Sequence, residues 1–290
     1  MLVTQLMPSK KSSKLDPTRR FSNRVADYVK ARPSYPPDLL DFLENDEILT
    51  PGKPVADIGS GTGIFSGLLL ERGYPVFCVE PNAEMRTAAE EAFHANPLFT
   101  SVDGTAEHTT LDDDAVHAIT SAQAFHWFDV EQSKQEFRRI MHPGGAAVLV
   151  WNDRDTESTT FARRYDALIH AYAIDLSAIR QARLDLVRIQ RLFEPQSCEI
   201  KQFYNSQRLD FDGLKARMLS SSYMPREGTP RYPSMLAELR RLFSDTQSEG
   251  FVTFEYTTSL YWGFLCELRY SKIMKIEDKA SLHPGDTRRG

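Results

Sequence analysis

Cysteine is scarce in this 290-residue chain: Cys78, Cys198 and Cys266 lie far apart, with no C-x-x-C pair among them. That spacing supplies neither a disulfide framework nor a thiolate zinc site, so no metal is expected. A reducing cytoplasm is the expected compartment. Cys78 stands inside the apolar run PVFCVE and is expected to be a core residue. Long hydrophobic runs are also missing. None nears the roughly 20 residues of a membrane-spanning helix, and the apolar start of MLVTQLMPSKKSSKLDPTRR turns basic before it reaches the length of a signal segment. Positive charge is not in surplus either: 35 Lys and Arg against 40 Asp and Glu leave a net charge of −5, which argues against a non-specific nucleic-acid binder. With 41% hydrophobic residues the chain can nonetheless bury a substantial core.

From Val55 to Trp151, short apolar runs alternate with amphipathic stretches. PVADI, PVFCVE, LFTSV, AVHAITSA and AAVLVW read as strands. Thr62–Arg72, Asn82–Ala95 and Asp129–Met141 read as helices, with Asn82 as an N-cap and Asp129 plus Gln132 as a start resembling a capping box. Such alternation predicts a doubly wound α/β fold: a mostly parallel, Rossmann-like sheet covered by helices on both faces. After Trp151 the pattern changes to helical stretches over residues 158–193 and 211–248, with strand-like runs SCEIKQFYNSQRLD and GFVTFEYTTSLYWGF. These two late strands predict an antiparallel extension at one sheet edge, seven strands in all. The expected organisation is a mobile arm over residues 1–20, one domain over 21–272 (cofactor half to 151, substrate-covering half from 152), and a mobile tail over 273–290.

Ligands of such sheets lie beyond the carboxyl ends of the strands, and four strand ends carry suggestive residues. The first is VADIGSGTG, where Asp57 precedes Gly59, Ser60, Gly61 and Gly63. The second ends in Glu80, about twenty residues on, where a carboxylate can accept from both ribose hydroxyls. The third runs into DGTAEH, placing Asp103 where it can accept from an adenine amino group. The fourth runs into AQAFHWFD, placing Gln123, His126 and Trp127 near a reacting centre. Ile64 occupies the position where a dinucleotide-binding glycine belongs, which disfavours a nicotinamide oxidoreductase. An adenosine ligand without pyrophosphate fits better: its ammonium is drawn to Asp57 and its carboxylate to the loop N–H groups. That describes S-adenosylmethionine.

VADIGSGTG, VEPNAEM, DGTAEH, AQAFHWFD and MHPGGAAVLVW, in this order, resemble the successive motifs of class I S-adenosylmethionine-dependent methyltransferases. The HW pair and FSNRVADYVKARPSYP, with LVWNDRD and SSYMP later, resemble the subgroup of trans-aconitate and cantharidin methyltransferases. The resemblance implies that Gly59, Ser60, Gly61 and Gly63 approach the cofactor, that Glu80, Pro81 and Met85 surround the ribose, and that Asp103, Gly104, Thr105 and Ala106 meet the adenine. It also implies that Tyr28 and Arg32 fold over the methionine part. An N/D-P-P-Y/F motif, the mark of amino-methylating DNA enzymes, is replaced here by Ala122-Gln123-Ala124-Phe125, and no cysteine follows a proline as in cytosine carbon-5 enzymes.

The expected reaction is methyl transfer to a small-molecule acceptor, with oxygen, nitrogen and carbon acceptors all open. His126 is the candidate base, or else a buried histidine hydrogen-bonded for packing. Trp127, Trp151, Asn152 and Arg154 are candidate substrate contacts, and Arg154 or Arg226 can pair with a substrate carboxylate. Tyr223, Tyr256 and Tyr261 either cover the sheet edge or together line an apolar pocket. A cofactor-binding protein without catalysis is the alternative. No nucleic-acid or membrane partner is expected.

Overall fold

Strand β1 (Val55–Ile58) is buried at all four positions, as expected of a central parallel strand covered on both faces. The structure, a computed structural model, describes residues 31–175 and 185–265. The expected terminal arm and tail, Tyr28 and Cys266 lie outside them. Helix α1 (Pro37–Asn45) precedes β1. Then follow α2 (Ile64–Glu71), β2 (Val76–Val79), α3 (Ala83–Phe93), β3 (Phe99–Val102), β4 (Val116–Ala122), a 3-10 turn (Phe125–Trp127), α4 (Val130–Ile140) and β5 (Met141–Arg154). The remainder is α5 (Thr160–Tyr172), α6 (Leu186–Phe193), β6 (Glu199–Leu209), α7 (Phe211–Leu219), α8 (Tyr232–Thr246) and β7 (Val252–Phe264).

All seven strands form one sheet in the order β3-β2-β1-β4-β5-β7-β6. β1 to β5 run parallel, and β7 and β6 continue the sheet antiparallel. The strand order reverses between β1 and its neighbours β2 and β4, which opens a crevice at their carboxyl ends. On one face α4 and α6 pack Phe137, Ile140, Ile189, Leu192 and Phe193 against Ile119, Leu149 and Trp151. On the other, Leu39, Leu43, Phe65 and Leu69 of α1 and α2 cover Val55, Val76, Val148 and Leu260. Each fully buried side chain of this size contributes roughly 1.5–3 kcal/mol. Helices α5, α7 and α8, inserted after β5 and between β6 and β7, form a lobe over Phe254 and Tyr256. No helix among the described residues is long and apolar enough to cross a membrane.

Asn82 caps α3, its Oδ1 accepting from Met85 N at 2.9 Å. Asp129 caps α4 by accepting from Gln132 N, but the expected reciprocal bond is not made. Gln132 Nε2 donates to the Asp129 carboxylate, and the Asp129 amide donates instead to Glu107 Oε1 at 2.7 Å. The cap of α4 is thereby tied to the loop after β3.

Candidate active site

The β1 loop turns back on itself at three left-handed glycines. At Gly59 (φ +69°) a Cβ would stand 2.5 Å from that of Ala124, so the loops after β1 and β4 pass in contact. Gly59 N and Ser60 N both donate to Val79 O, which fastens the loop to the end of β2. Glu80 then locks the arrangement: Oε2 accepts from Gly61 N at 2.9 Å and Oε1 from Asn82 N at 2.8 Å. Burial raises the Glu80 pKa above the ordinary carboxylate range, while those two N–H donors and nearby Arg86 oppose the rise. Each Glu80 oxygen has one lone pair engaged by the backbone, leaving a further acceptor site on each.

Between these loops lies a cleft enclosing about 770 Å³ of non-atom space, part of it open to solvent. Gly59, Gly61, Glu80, Pro81 and Met85 line one side, and Thr105, Ala106, Gln123 and Trp127 the other. Gln123 holds a left-handed backbone (φ +59°), uncommon for a non-glycine residue. Its side chain donates to Asn152 O at 3.0 Å, joining the β4 and β5 ends. Glu107, Ala122, Ala124 and Phe128 also line the cleft, and none was singled out from the sequence. The aromatic run FHWF was the available signal for Phe128; Glu107 has no signal apart from lying in DGTAEH.

Several expected contacts stand elsewhere. Asp57 is 1% exposed, and its oxygens accept from Ser66 Oγ at 2.6 Å and Thr120 Oγ1 at 3.0 Å. It joins β1, α2 and β4 rather than lining the cleft. Gly63 begins α2, and a Cβ there would meet the Phe93 ring at 2.6 Å, so this glycine serves α2–α3 packing. Gly104 abuts the Thr109 carbonyl. Ser60 lies beneath the loop with its hydroxyl excluded from solvent. Asp103 is exposed and turned to Arg86 at 3.1 Å. Arg32 reaches Ser220 O at the end of α7.

The aromatic and polar residues after β4 divide between the two faces of the sheet. His126 lies in the 3-10 turn, its ring 4.7 Å from that of Trp127 and 5.2 Å from that of Trp151. Trp151 and Tyr261 are buried in the α4/α6 layer. They are core residues rather than substrate contacts. Asn152 is buried on the opposite face, accepting from Thr258 Oγ1 and donating to Ser34 O. That side chain ties β5 to β7 and to the segment before α1. Arg154 pairs with Asp166 at 2.6 Å. Tyr256 packs in the α5/α7/α8 lobe with Tyr223 against it, whereas Arg226 lies in the turn before α8 and accepts from Thr229 through its carbonyl.

Burial raises the Asp57 pKa to about 6 against the Ser66 and Thr120 hydroxyls, which pull it down. A carboxyl with a raised folded-state pKa lends stability that is complete below its unfolded value of about 3.8 and lost as pH rises through about 6. The loss is on the order of 3 kcal/mol. Asp57→Asn removes this titration, so its stability relative to wild type is expected to grow between pH 4 and pH 7. Urea denaturation at several pH values checks it; a constant difference across that window would show that Asp57 does not titrate there.

Residues 56–149 match the family described as a methyltransferase domain. Over 143 residues, 49% of this chain and 56% of the relative, the sequence is 39% identical to an uncharacterized methyltransferase of Mycobacterium tuberculosis. Over 138 residues, 47% of this chain and 53% of the relative, it is 31% identical to an uncharacterized methyltransferase-like protein of Schizosaccharomyces pombe. The chain thus spans just over half the length of these curated relatives. A solved structure from Anaeromyxobacter dehalogenans, described as a type II methyltransferase, matches with a TM-score of 0.56 at 21% identity, covering 81% of this chain and 98% of that one. One from Anabaena variabilis, described as a methyltransferase of an antibiotic biosynthesis pathway, gives 0.55 at 22% identity, covering 78% and 96%. At these identities the structural likeness speaks for the fold. Residues 56–149 are thus similar to methyltransferase domains in sequence, and the sheet is similar in fold to solved structures described as methyltransferases.

Proposed function

We propose that this chain transfers a methyl group from S-adenosylmethionine to a small-molecule metabolite in the cytoplasm. The observation that carries this reading is the cleft in which buried Glu80, braced by Gly61 and Asn82, faces Thr105 and Ala106 beside the glycine loop. The acceptor sites left on Glu80 suit two ribose hydroxyls. Pro81, Met85 and Ala106 offer apolar walls to an adenine, and Gly61, bare of a side chain at the cleft, leaves room for the methionine part.

The cofactor's sulfonium supplies an already activated methyl group. The protein therefore has to place the acceptor in line with the methyl–sulfur bond and exclude water. Trp127 and Phe128 wall the cleft on the β4 side, and His126, beside the cleft-lining Trp127 and in ring contact with Trp151, is the candidate for taking a proton from a hydroxyl, amine or carbon acid. An ionised carboxylate acceptor needs no base.

Calorimetric titration with S-adenosylhomocysteine and with NAD tests the cofactor assignment: binding of the first and not the second is expected. A metabolite screen that follows S-adenosylhomocysteine production tests the reaction. Binding of NAD alone would refute the proposal. Cofactor binding without turnover of any metabolite would favour a regulatory protein.

A further inference from the structure

The β4 side of the cleft is walled by a very short piece of chain. The chain leaves β4 through a single 3-10 turn, Phe125–Trp127, and Asp129 already caps α4. Trp127 and Phe128 line the cleft, and the His126 ring lies against Trp127. Such a turn makes few bonds of its own: Trp127 N donates to Ala124 O and Phe128 N to Phe125 O. The last carbonyls of a helical turn have no amide of that turn to accept from. Its place therefore depends on groups brought from outside.

Two side chains supply them. From the loop after β3, Glu107 Oε1 accepts from Asp129 N at 2.7 Å. From α6, Arg188 donates through Nη1 to His126 O at 3.2 Å and through Nη2 to Phe128 O. The planar fork of the guanidinium thus spans the carbonyls on either side of Trp127. Its carbon stands 5.8 Å from the ring centroid of buried Phe125, and the Asp129 carboxylate is within its electrostatic reach. Arg188 is half-buried, one helical turn before the buried Leu192, whereas Arg191 is exposed and has Glu131 at 3.8 Å. The helix that carries Arg188 is itself fixed. Asp185 caps it by accepting from Val187 N at 3.0 Å, and Lys134 Nζ of α4 donates to Arg191 O at 2.7 Å. Ile189, Leu192 and Phe193 pack in the same layer as Trp151.

We infer that Arg188 is a positioning residue: it holds the turn that carries His126 and Trp127 in place at the cleft, so a residue beyond β5 sets the geometry of that wall. What the wall does rests on the methyltransferase reading above; the grip of Arg188 on it does not. Arg188 lies outside residues 56–149, the part that matches a methyltransferase domain. In-line transfer tolerates little displacement of the reacting groups. A wall free to swing would also have to be ordered by the cofactor on binding, which lowers apparent affinity in proportion to the fraction of time it is in place.

The test uses the full chain, with and without S-adenosylhomocysteine, and reads two nuclear magnetic resonance signals from the turn. The His126 imidazole C–H resonances are shifted by the indole rings 4.7 and 5.2 Å away, and the second signal is the indole N–H of the cleft-lining Trp127. His126→Gln and Trp127→Phe assign them. In Arg188→Met both are expected to move toward the positions of solvent-exposed residues, while the Trp262 indole, packed with the α1/α2 layer, stays. Calorimetric affinity for S-adenosylhomocysteine is expected to fall about tenfold, the lower end for losing a hydrogen bond from a charged donor. Arg188→Lys, which keeps the charge without the fork, should lose less. Arg191→Met removes a charge from the same helix without touching the turn and is expected to match wild type in both readouts. Wild-type His126 and Trp127 signals in Arg188→Met, undiminished affinity, or an equal effect from Arg191→Met would each overturn the inference. If Arg188→Met does not fold, Arg188→Lys and Arg188→Gln are judged by the same signals. Failure of the wild type to bind S-adenosylhomocysteine would instead remove the methyltransferase reading, while the signals of the free protein still decide whether Arg188 holds the turn.

Discussion

Replacing Glu80 with alanine is expected to weaken S-adenosylmethionine binding by about 10²–10⁴-fold. Two hydrogen bonds from ribose hydroxyls to a carboxylate contribute about 1.5–3 kcal/mol each, and together they set that range. The same substitution strips Gly61 N and Asn82 N of their acceptor, so the glycine loop loses its brace as well as its ligand contact. Glu80→Gln keeps one carbonyl acceptor and much of the shape, so its loss should fall nearer the lower end. Both variants need a denaturation curve beside the calorimetric titration, because a buried N–H left unsatisfied costs about 1–3 kcal/mol in stability. A folded Glu80→Ala protein with wild-type affinity for S-adenosylhomocysteine would remove Glu80 from the cofactor site.

The place of Glu80 at the cleft was legible in the sequence because it depends on position along the chain: the end of the second strand, a fixed distance beyond a glycine loop. The sheet was legible for the same reason, since apolar runs such as VADI and VFCV declare buried strands and Asn82 and Asp129 mark helix starts. Residues whose role depends on a distant partner were not. Gly59 and Gly63 look alike in sequence, yet one clears Ala124 and the other the Phe93 ring, thirty residues away. Asp57 reads as a ligand for an ammonium group until Ser66 and Thr120 are seen to take its oxygens. Some of the division was available and unused. Tyr256 and Tyr261 are separated by five positions, an odd number, so a strand must turn them to opposite faces. Tyr261 accordingly lies with Trp151 in one layer and Tyr256 with Arg154 against the other.

His126→Gln separates two kinds of acceptor. If the acceptor is a hydroxyl, an amine or a carbon acid, the imidazole takes its proton, and the variant should lose about 10²–10⁴-fold in kcat, the usual contribution of general acid–base catalysis. The wild-type rate should then fall in acid, because a base has to be unprotonated to act, and the variant should lack that limb. If the acceptor is a carboxylate, already ionised at neutral pH, no proton has to be removed. His126, tilted against Trp127 and edge-on to Trp151, then only positions the substrate. The variant would in that case lose chiefly substrate affinity, since a positioning contact acts on ground and transition states alike. A loss confined to KM points to an ionised carboxylate as the methylated group, whereas a loss in kcat together with the acid limb points to a hydroxyl, an amine or a carbon acid. Wild-type turnover, affinity and pH profile in His126→Gln would eliminate both roles and leave the ring as packing between two tryptophans.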